Sequence, residues 1–258
     1  MKNMKKSNEL SQKTNTEIIN NENLRLILSD LLPKFGPHWH IHSMVGMKVQ
    51  TLARTLYYSE LYKNIVNTPG VICEFGVQWG ATMTTLTNLR SIYEPFNISR
   101  KIIGFDTFEG FPSISDHDSL QNSEKMWGIG DYSTIDNYEK ILENILNSHE
   151  KNSPMPHIKK HELIKGDISI TFPEWLKKNP HSIISMAIFD TDLYTPTRDV
   201  LNLISDRLTK GSILVFDELN CEHFPGETIA LRETLGLKNL KLKRTPLQPY
   251  CSWAVWGE

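Results

Sequence analysis

Four short apolar runs along the chain each stop at an acid or a glycine. VICEF (71–75) runs into Gly76, KIIGF (101–105) into Asp106, SMAIF (185–189) into Asp190 and SILVF (212–216) into Asp217-Glu218. Between them, apolar residues recur at helical spacing: Met83, Leu86, Leu89 and Tyr93, then Val200, Leu203, Ile204 and Leu208. A continuous apolar strand needs cover on both faces, and the alternation with helices supplies it. The fold class is therefore α/β, doubly wound, with a mostly parallel sheet. Glu162–Lys165 adds a further strand, and two late ones near Leu240–Arg244 and Ser252–Trp256 bring the expected sheet to seven strands. In such sheets ligands bind beyond the carboxyl ends of the strands, which is where these acids stand.

At 258 residues the chain suits one large domain, and 28 Lys plus Arg against 30 Asp plus Glu leave a net charge of -2. With no basic excess, neither nucleic acid nor an anionic membrane is an expected partner. No apolar run reaches the ~18 residues of a membrane span. MKNMKKSNEL has no apolar core after its basic residues, so it is not read as a secretory signal. Cys73, Cys221 and Cys251 are far apart, and Cys73 sits in an apolar run as a small hydrophobe. The expected compartment is a reducing cytoplasm.

Residues 1–23 are polar and are expected to be a disordered tail. Residues 24–68 form an N-terminal helical extension: Leu24, Ile27, Leu28 and Leu31 make one stripe ended by Pro33, and Val49, Leu52, Ala53 and Leu56 make a second. These helices can cover the site or pair with another subunit, and a homodimer is the expectation. The main domain spans 69–258. Within it, Thr195-Pro196 is expected to open a helix, with Thr195 as N-cap. The polar stretch 113–137, containing Trp127, has the length of a lid loop.

Glu74, Gly76 and Gly80 flank a strand-to-helix turn whose free amides suit a carboxylate or phosphate; a purely structural turn uses glycine in the same way. GxGxxG is not met, because Gln78 and Trp79 stand where small residues belong. Asp106 can accept both hydroxyls of a ribose or simply serve a turn. Asp167 can face an adenine edge, with a turn as the plainer alternative. Asp190, Asp192, Asp217 and Glu218 are the sharpest group. Four carboxylates at the ends of two neighbouring strands repel one another unless a hard divalent cation or a proton intervenes. Helix capping is the competing explanation for each acid taken singly. Asp190 and Asp192 share a side if extended geometry persists. In HWHIH, His38, His40 and His42 would share a side of an extended chain, facing a ligand or, less favourably, zinc. His223 can reach the site or lie on the surface.

SMVG, EFGVQWGATM, GFDTFEGFP, FDTDLYTPT and LVFDELN, taken in that order, resemble the macrocin and mycinamicin type of sugar O-methyltransferases over roughly residues 35–256. These are class I enzymes with a Rossmann-like sheet that depend on S-adenosylmethionine (SAM). The resemblance implies that Met44, Val45 and Gly46 lie beside SAM, that Glu74, Gly76 and Gly80 bind its methionine part, and that Asp106 and Asp167 serve its ribose and adenine. It implies Mg²⁺ held by Asp190, Asp217 and Glu218, with Asp192 as general base. Glu218 departs from the aspartate common at that position, and its longer stem can shift the ion. The implied acceptor is a hydroxyl of a sugar or glycosylated metabolite. An NAD(P)-dependent oxidoreductase and a non-catalytic SAM-fold binding protein are the competing functions.

Overall fold

The computed structural model describes residues 14–119 and 127–258. The chain divides into two compact units, the first ending at Thr55 and the second running Leu56–Glu258.

In the first unit, helix α1 spans Asn15–Leu31. Residues 15–23, expected in the disordered tail, are thus helical; residues 1–13 of that tail lie outside the described part. The local reason is a capping box. The Glu17 amide donates to Thr14 Oγ1 at 3.3 Å, and the Thr14 amide donates to Glu17 Oε2 at 2.7 Å. No residue of α1 is buried. Two short 3-10 turns lead to α2 (Trp39–His42) and a third turn, Ser43–Gly46. Helix α3 (Val49–Ile65) follows. Its expected inner stripe is corrected: Val49, Leu52 and Leu56 are exposed, whereas Tyr57, Tyr58, Leu61, Tyr62 and Ile65 are buried.

The second unit is built on a seven-stranded sheet in the order β3-β2-β1-β4-β5-β7-β6. The strands are β1 Val71–Phe75, β2 Ile102–Asp106, β3 His161–Lys165, β4 Ile184–Phe189, β5 Leu208–Phe216, β6 Lys243–Thr245 and β7 Gln248–Val255. The first five are parallel, and β7 runs antiparallel to β5 and β6. The late pair is shifted from its expected bounds because the turn falls at 246–247 rather than further on. The helices after α3 are α4 Ala81–Tyr93, α5 Tyr138–Lys151, α6 Ile168–Lys178, α7 Tyr194–Ile204 and α8 Pro225–Thr234. Helices α5 and α6 were not read from the sequence, although Leu142 and Leu146 of α5 are buried at helical spacing. Pro173 inside α6 obscured that helix. Among the described residues no helix is long and apolar enough to cross a membrane.

One register decides where the strand ends lie. Phe105, Phe75, Phe189 and Phe216 are paired across neighbouring strands. Their rings form a row with centroid separations of 5.2, 5.4 and 5.0 Å. Side chains alternate along a strand, so this row fills one face of the sheet, with Phe172 and Trp175 packed on it. Ile72, Met186, Ile188, Ile213 and Val215 fill the other face, against Tyr57, Tyr58 and Leu86. Arg100, itself buried, donates to the carbonyls of Ile65, Thr68 and Gly70 and to Glu94, fixing the chain where it enters β1.

Candidate active site

The residue after each phenylalanine of the row is Asp106, Gly76, Asp190 or Asp217, so the sheet register itself brings these positions together. The main chain continues the ladder by one bond at each step. The Gly76 amide donates to Phe105 O, Asp190 to Phe75 O and Asp217 to Phe189 O, at 2.9, 2.9 and 3.0 Å. Strands β1 and β4 are adjacent with chain connections leaving in opposite directions, which is where an open α/β sheet leaves a crevice.

Gly76 has φ +92, and a Cβ there would overlap the Asp190 carbonyl oxygen. Only glycine lets the two loops lie this close. Gly80, at φ 76, precedes α4, whose N-terminus has no side-chain cap and points its dipole at the sheet edge. Glu74 is buried within β1. Asp106 Oδ2 accepts the amides of Val77 and Gln78 at 2.7 and 2.8 Å, and Oδ1 accepts that of Phe108 at 2.5 Å. It therefore ties the β1 and β2 loops together. Burial pushes its pKa up, against the pull of those three amides. Asp167 caps α6 by accepting the Ser169 amide at 2.9 Å, the plainer of its two sequence readings. A cleft of about 460 Å³ opens beside the ends of β2 and β3, between Phe108, Glu109, Ile135, Asn137 and Lys165.

Asp192 does not continue extended geometry: its φ is +62, in the left-handed region. It nevertheless shares an environment with the other acids. Burial, then the charges of Asp190, Glu218, Asp217 and Asp118, raise its pKa well above the usual carboxylate range. Asp217 Oδ1 accepts the thiol of Cys251 on β7 at 3.0 Å. The expected helix start at Thr195 is corrected: α7 begins at Tyr194 with Leu193 as N-cap and no cap from a side chain of its own.

Three acid-site neighbours escaped the sequence reading. Glu227, in the first turn of α8, is fully buried; its Oε2 accepts the Glu218 amide at 3.2 Å, and Oε1 has no hydrogen-bond partner. Burial and the charges of Asp192, Asp190 and Asp217 push its pKa well up. Tyr132 has φ +64, and burial followed by the charges of Asp192 and Glu218 raises its phenol pKa. Asp118 is buried and accepts the Tyr194 amide. Local sequence carries no signal for these three, since each acts on a distant segment.

Met44 and Val45 are exposed in the first unit, and Gly46 packs tightly on Leu28 of α1. His38, His40 and His42 are on helical turns rather than extended chain; all are exposed, and the His38 and His42 rings are 6.2 Å apart. Of the stretch 113–137, residues 120–126 lie outside the described part. Trp127 is buried, stacks on Phe224 at 4.8 Å and donates from Nε1 to the His223 carbonyl at 3.0 Å. It is the backbone of His223, not its ring, that makes this bond. Cys73 is fully buried, and burial pushes its thiol pKa up. Among the described residues no group of three or more His, Cys, Asp or Glu side chains is arranged around a single ion position.

No protein-family model matches the chain, and no curated protein matches it. Solved structures do. The crystal structure of CalS11, calicheamicin methyltransferase, is 34% identical with a TM-score of 0.88, over 96% of this chain and 95% of that one. The apo structure of CalS11, described as a TDP-rhamnose 3'-O-methyltransferase of calicheamicin biosynthesis, is 32% identical with a TM-score of 0.83, over 97% and 99%. The O-methyltransferase NovP shares the fold at 16% identity, with a TM-score of 0.58 over 79% of each chain. An oxidoreductase and an idle binding protein are set aside by the full-length likeness to CalS11. With its methyltransferase strand order and this near-complete match, the chain belongs to the class I S-adenosylmethionine-dependent O-methyltransferases.

Proposed function

We propose that the enzyme methylates a sugar hydroxyl, with a nucleotide-linked deoxysugar such as TDP-rhamnose as acceptor and Asp192 as the general base. The macrocin and mycinamicin type named by the ordered motifs is part of this reading. The observation that carries it is the environment of Asp192. It is a half-buried carboxyl on the loop that leaves β4, grouped with Asp190, Glu218 and Asp217 at the carboxyl end of the sheet, where an acceptor hydroxyl can reach it. The acceptor class is supported by CalS11, which matches along its whole length.

SAM is placed at the ends of β1, β2 and β3. Gly76 and the N-terminus of α4 would receive its methionine carboxylate. Asp106 holds the β1 and β2 loops in place for the ribose, and Glu74, Gly80 and Asp167 complete the reading on that side. Met44, Val45 and Gly46 are retained as a proposal on the motif alone. Asp192 accepts the acceptor proton as the acceptor oxygen takes the methyl group in line, and alignment of the two reactants supplies most of the acceleration.

Mg²⁺ belongs to the same reading, with Asp190, Asp217 and Glu218 as its holders. The donor set is all hard oxygen, but the described side chains do not surround a single ion position and would have to turn towards the cation. When bound, the cation would stabilise negative charge developing on the acceptor oxygen. The test is incubation with SAM and TDP-rhamnose, following S-adenosylhomocysteine and the methylated sugar by mass spectrometry. Product formation is the expected result. Unchanged TDP-rhamnose alongside turnover of another acceptor would overturn the acceptor class.

A further inference from the structure

Helix α7 follows directly from the loop that carries Asp192, yet its N-cap residue, Leu193, gives it no side-chain cap. The missing acceptor comes from far away. Asp118 Oδ1 accepts the Tyr194 amide at 2.6 Å, across a separation of 76 residues. Its other oxygen accepts the Ser115 amide and hydroxyl at 2.7 and 2.8 Å, which fixes the carboxylate's orientation. Asp118 is 4% exposed, and the neighbouring His117 ring lies 4.2 Å from the Tyr194 ring. The contact admits no slack: a Cβ on Gly226 would stand 2.5 Å from both Asp118 Oδ1 and the Tyr194 nitrogen.

The loop held in this way is strained. Asp192 adopts φ +62, a conformation that costs free energy for a residue other than glycine and persists only when its surroundings enforce it. On the inner side the enforcement is visible. The Asp190 amide is bound to Phe75 O, and Thr197 Oγ1 donates to Leu193 O at 2.8 Å and lies 2.8 Å from Thr191 Oγ1. On the outer side, the Tyr194 amide is held by Asp118 alone among the side chains seen to bond it.

We propose that Asp118 is a positioning residue for methyl transfer: it caps α7 from a distant segment and so holds the Asp192 loop in its reactive conformation. This rests on the reading of Asp192 as the base. Asp118 itself touches neither reactant in this assignment; it acts through the Tyr194 amide and the backbone on either side of Leu193.

Three variants of the full-length enzyme test it, with SAM and TDP-rhamnose as probes. Asp118→Ala should lower kcat about 10-fold, on the scale of a lost helix cap, with KM for SAM unchanged. Asp118→Asn keeps an acceptor oxygen for the Tyr194 N–H but sets its NH2 against the Ser115 amide, so its kcat should fall between those of wild type and Asp118→Ala. Gly226→Ala should slow turnover as Asp118→Ala does, because it wedges the contact apart with every carboxylate intact. Wild-type kcat in either alanine variant overturns the proposal, as does an Asp118→Asn enzyme no faster than Asp118→Ala. A parallel loss of SAM affinity overturns it too, because it marks a general structural defect. Amide exchange needs no acceptor substrate: the Tyr194 amide should exchange fastest in Asp118→Ala and more slowly in Asp118→Asn, which keeps one acceptor oxygen. Unchanged protection in Asp118→Ala overturns the proposal. A wild type inert towards TDP-rhamnose counts against the acceptor reading instead, and exchange then decides the role of Asp118.

Discussion

Gly76 and Asp190 are packed backbone to backbone: the glycine at the end of β1 leaves no room for a side chain beside the Asp190 carbonyl at the end of β4. The loop assigned to SAM and the loop assigned to the metal and base are thus one unit. A change in either moves both.

Gly76→Ala meets two costs at once, the positive φ and the overlap with Asp190. The variant should lose about 3 kcal/mol of stability and its SAM binding together. Thermal unfolding and calorimetry measure the two effects. An alanine variant with wild-type SAM affinity would show that the two loops do not move as one.

Asp106 accepts three backbone amides from two loops. Asp106→Ala leaves those amides without an acceptor and should weaken SAM binding by about 1–3 kcal/mol. Calorimetry decides the matter, and unchanged SAM affinity removes Asp106 from the cofactor site.

Proton transfer and cation holding separate by substitution. Asp192→Asn should keep SAM binding while kcat falls by roughly 10²–10⁴-fold, the usual worth of a positioned base. Asp217→Asn should instead raise the Mg²⁺ concentration needed for activity. EDTA should silence the wild type, and added Mg²⁺ should restore it. Full activity in EDTA would sink the metal assignment, whereas an active Asp192→Asn enzyme would sink only the choice of base.

His161, at the start of β3, is buried, and its Nε2 lies 3.5 Å from Glu143 Oε1 without hydrogen-bond geometry. Burial lowers its pKa from 6.5 to about 4, outweighing the nearby Glu143. Between those values the unfolded chain takes up a proton that the folded chain refuses. Stability therefore falls as pH drops from 6.5 towards 4, by about 3 kcal/mol from this residue, and no further below that. His161→Leu should flatten that part of the profile in urea unfolding at pH 7 and pH 4.5. Parallel profiles for the two proteins would refute the assignment.

The features legible along the chain are those that depend on near neighbours in it. Apolar runs of strand length, helical stripes between them and an acid or glycine at each strand end suffice for the α/β class, because these patterns report burial on one or both faces of a local element. They also bring out Gly76, Asp106, Asp190 and Asp217, since the residue after a strand's last apolar position must emerge at the sheet edge. Tertiary structure alone decided the rest. The pairing of Phe75, Phe105, Phe189 and Phe216 sets which strand ends are adjacent. The left-handed turn at Asp192 overrides the extended geometry that its spacing suggested. Glu227 reads locally as an ordinary first-turn acid and Asp118 as a loop aspartate. Only folding buries Glu227 beside the acids and carries Asp118 to a helix that has no cap of its own. Such contacts leave no periodicity in the chain, because their free energy comes from groups brought together across many residues rather than from the conformational preference of any one segment.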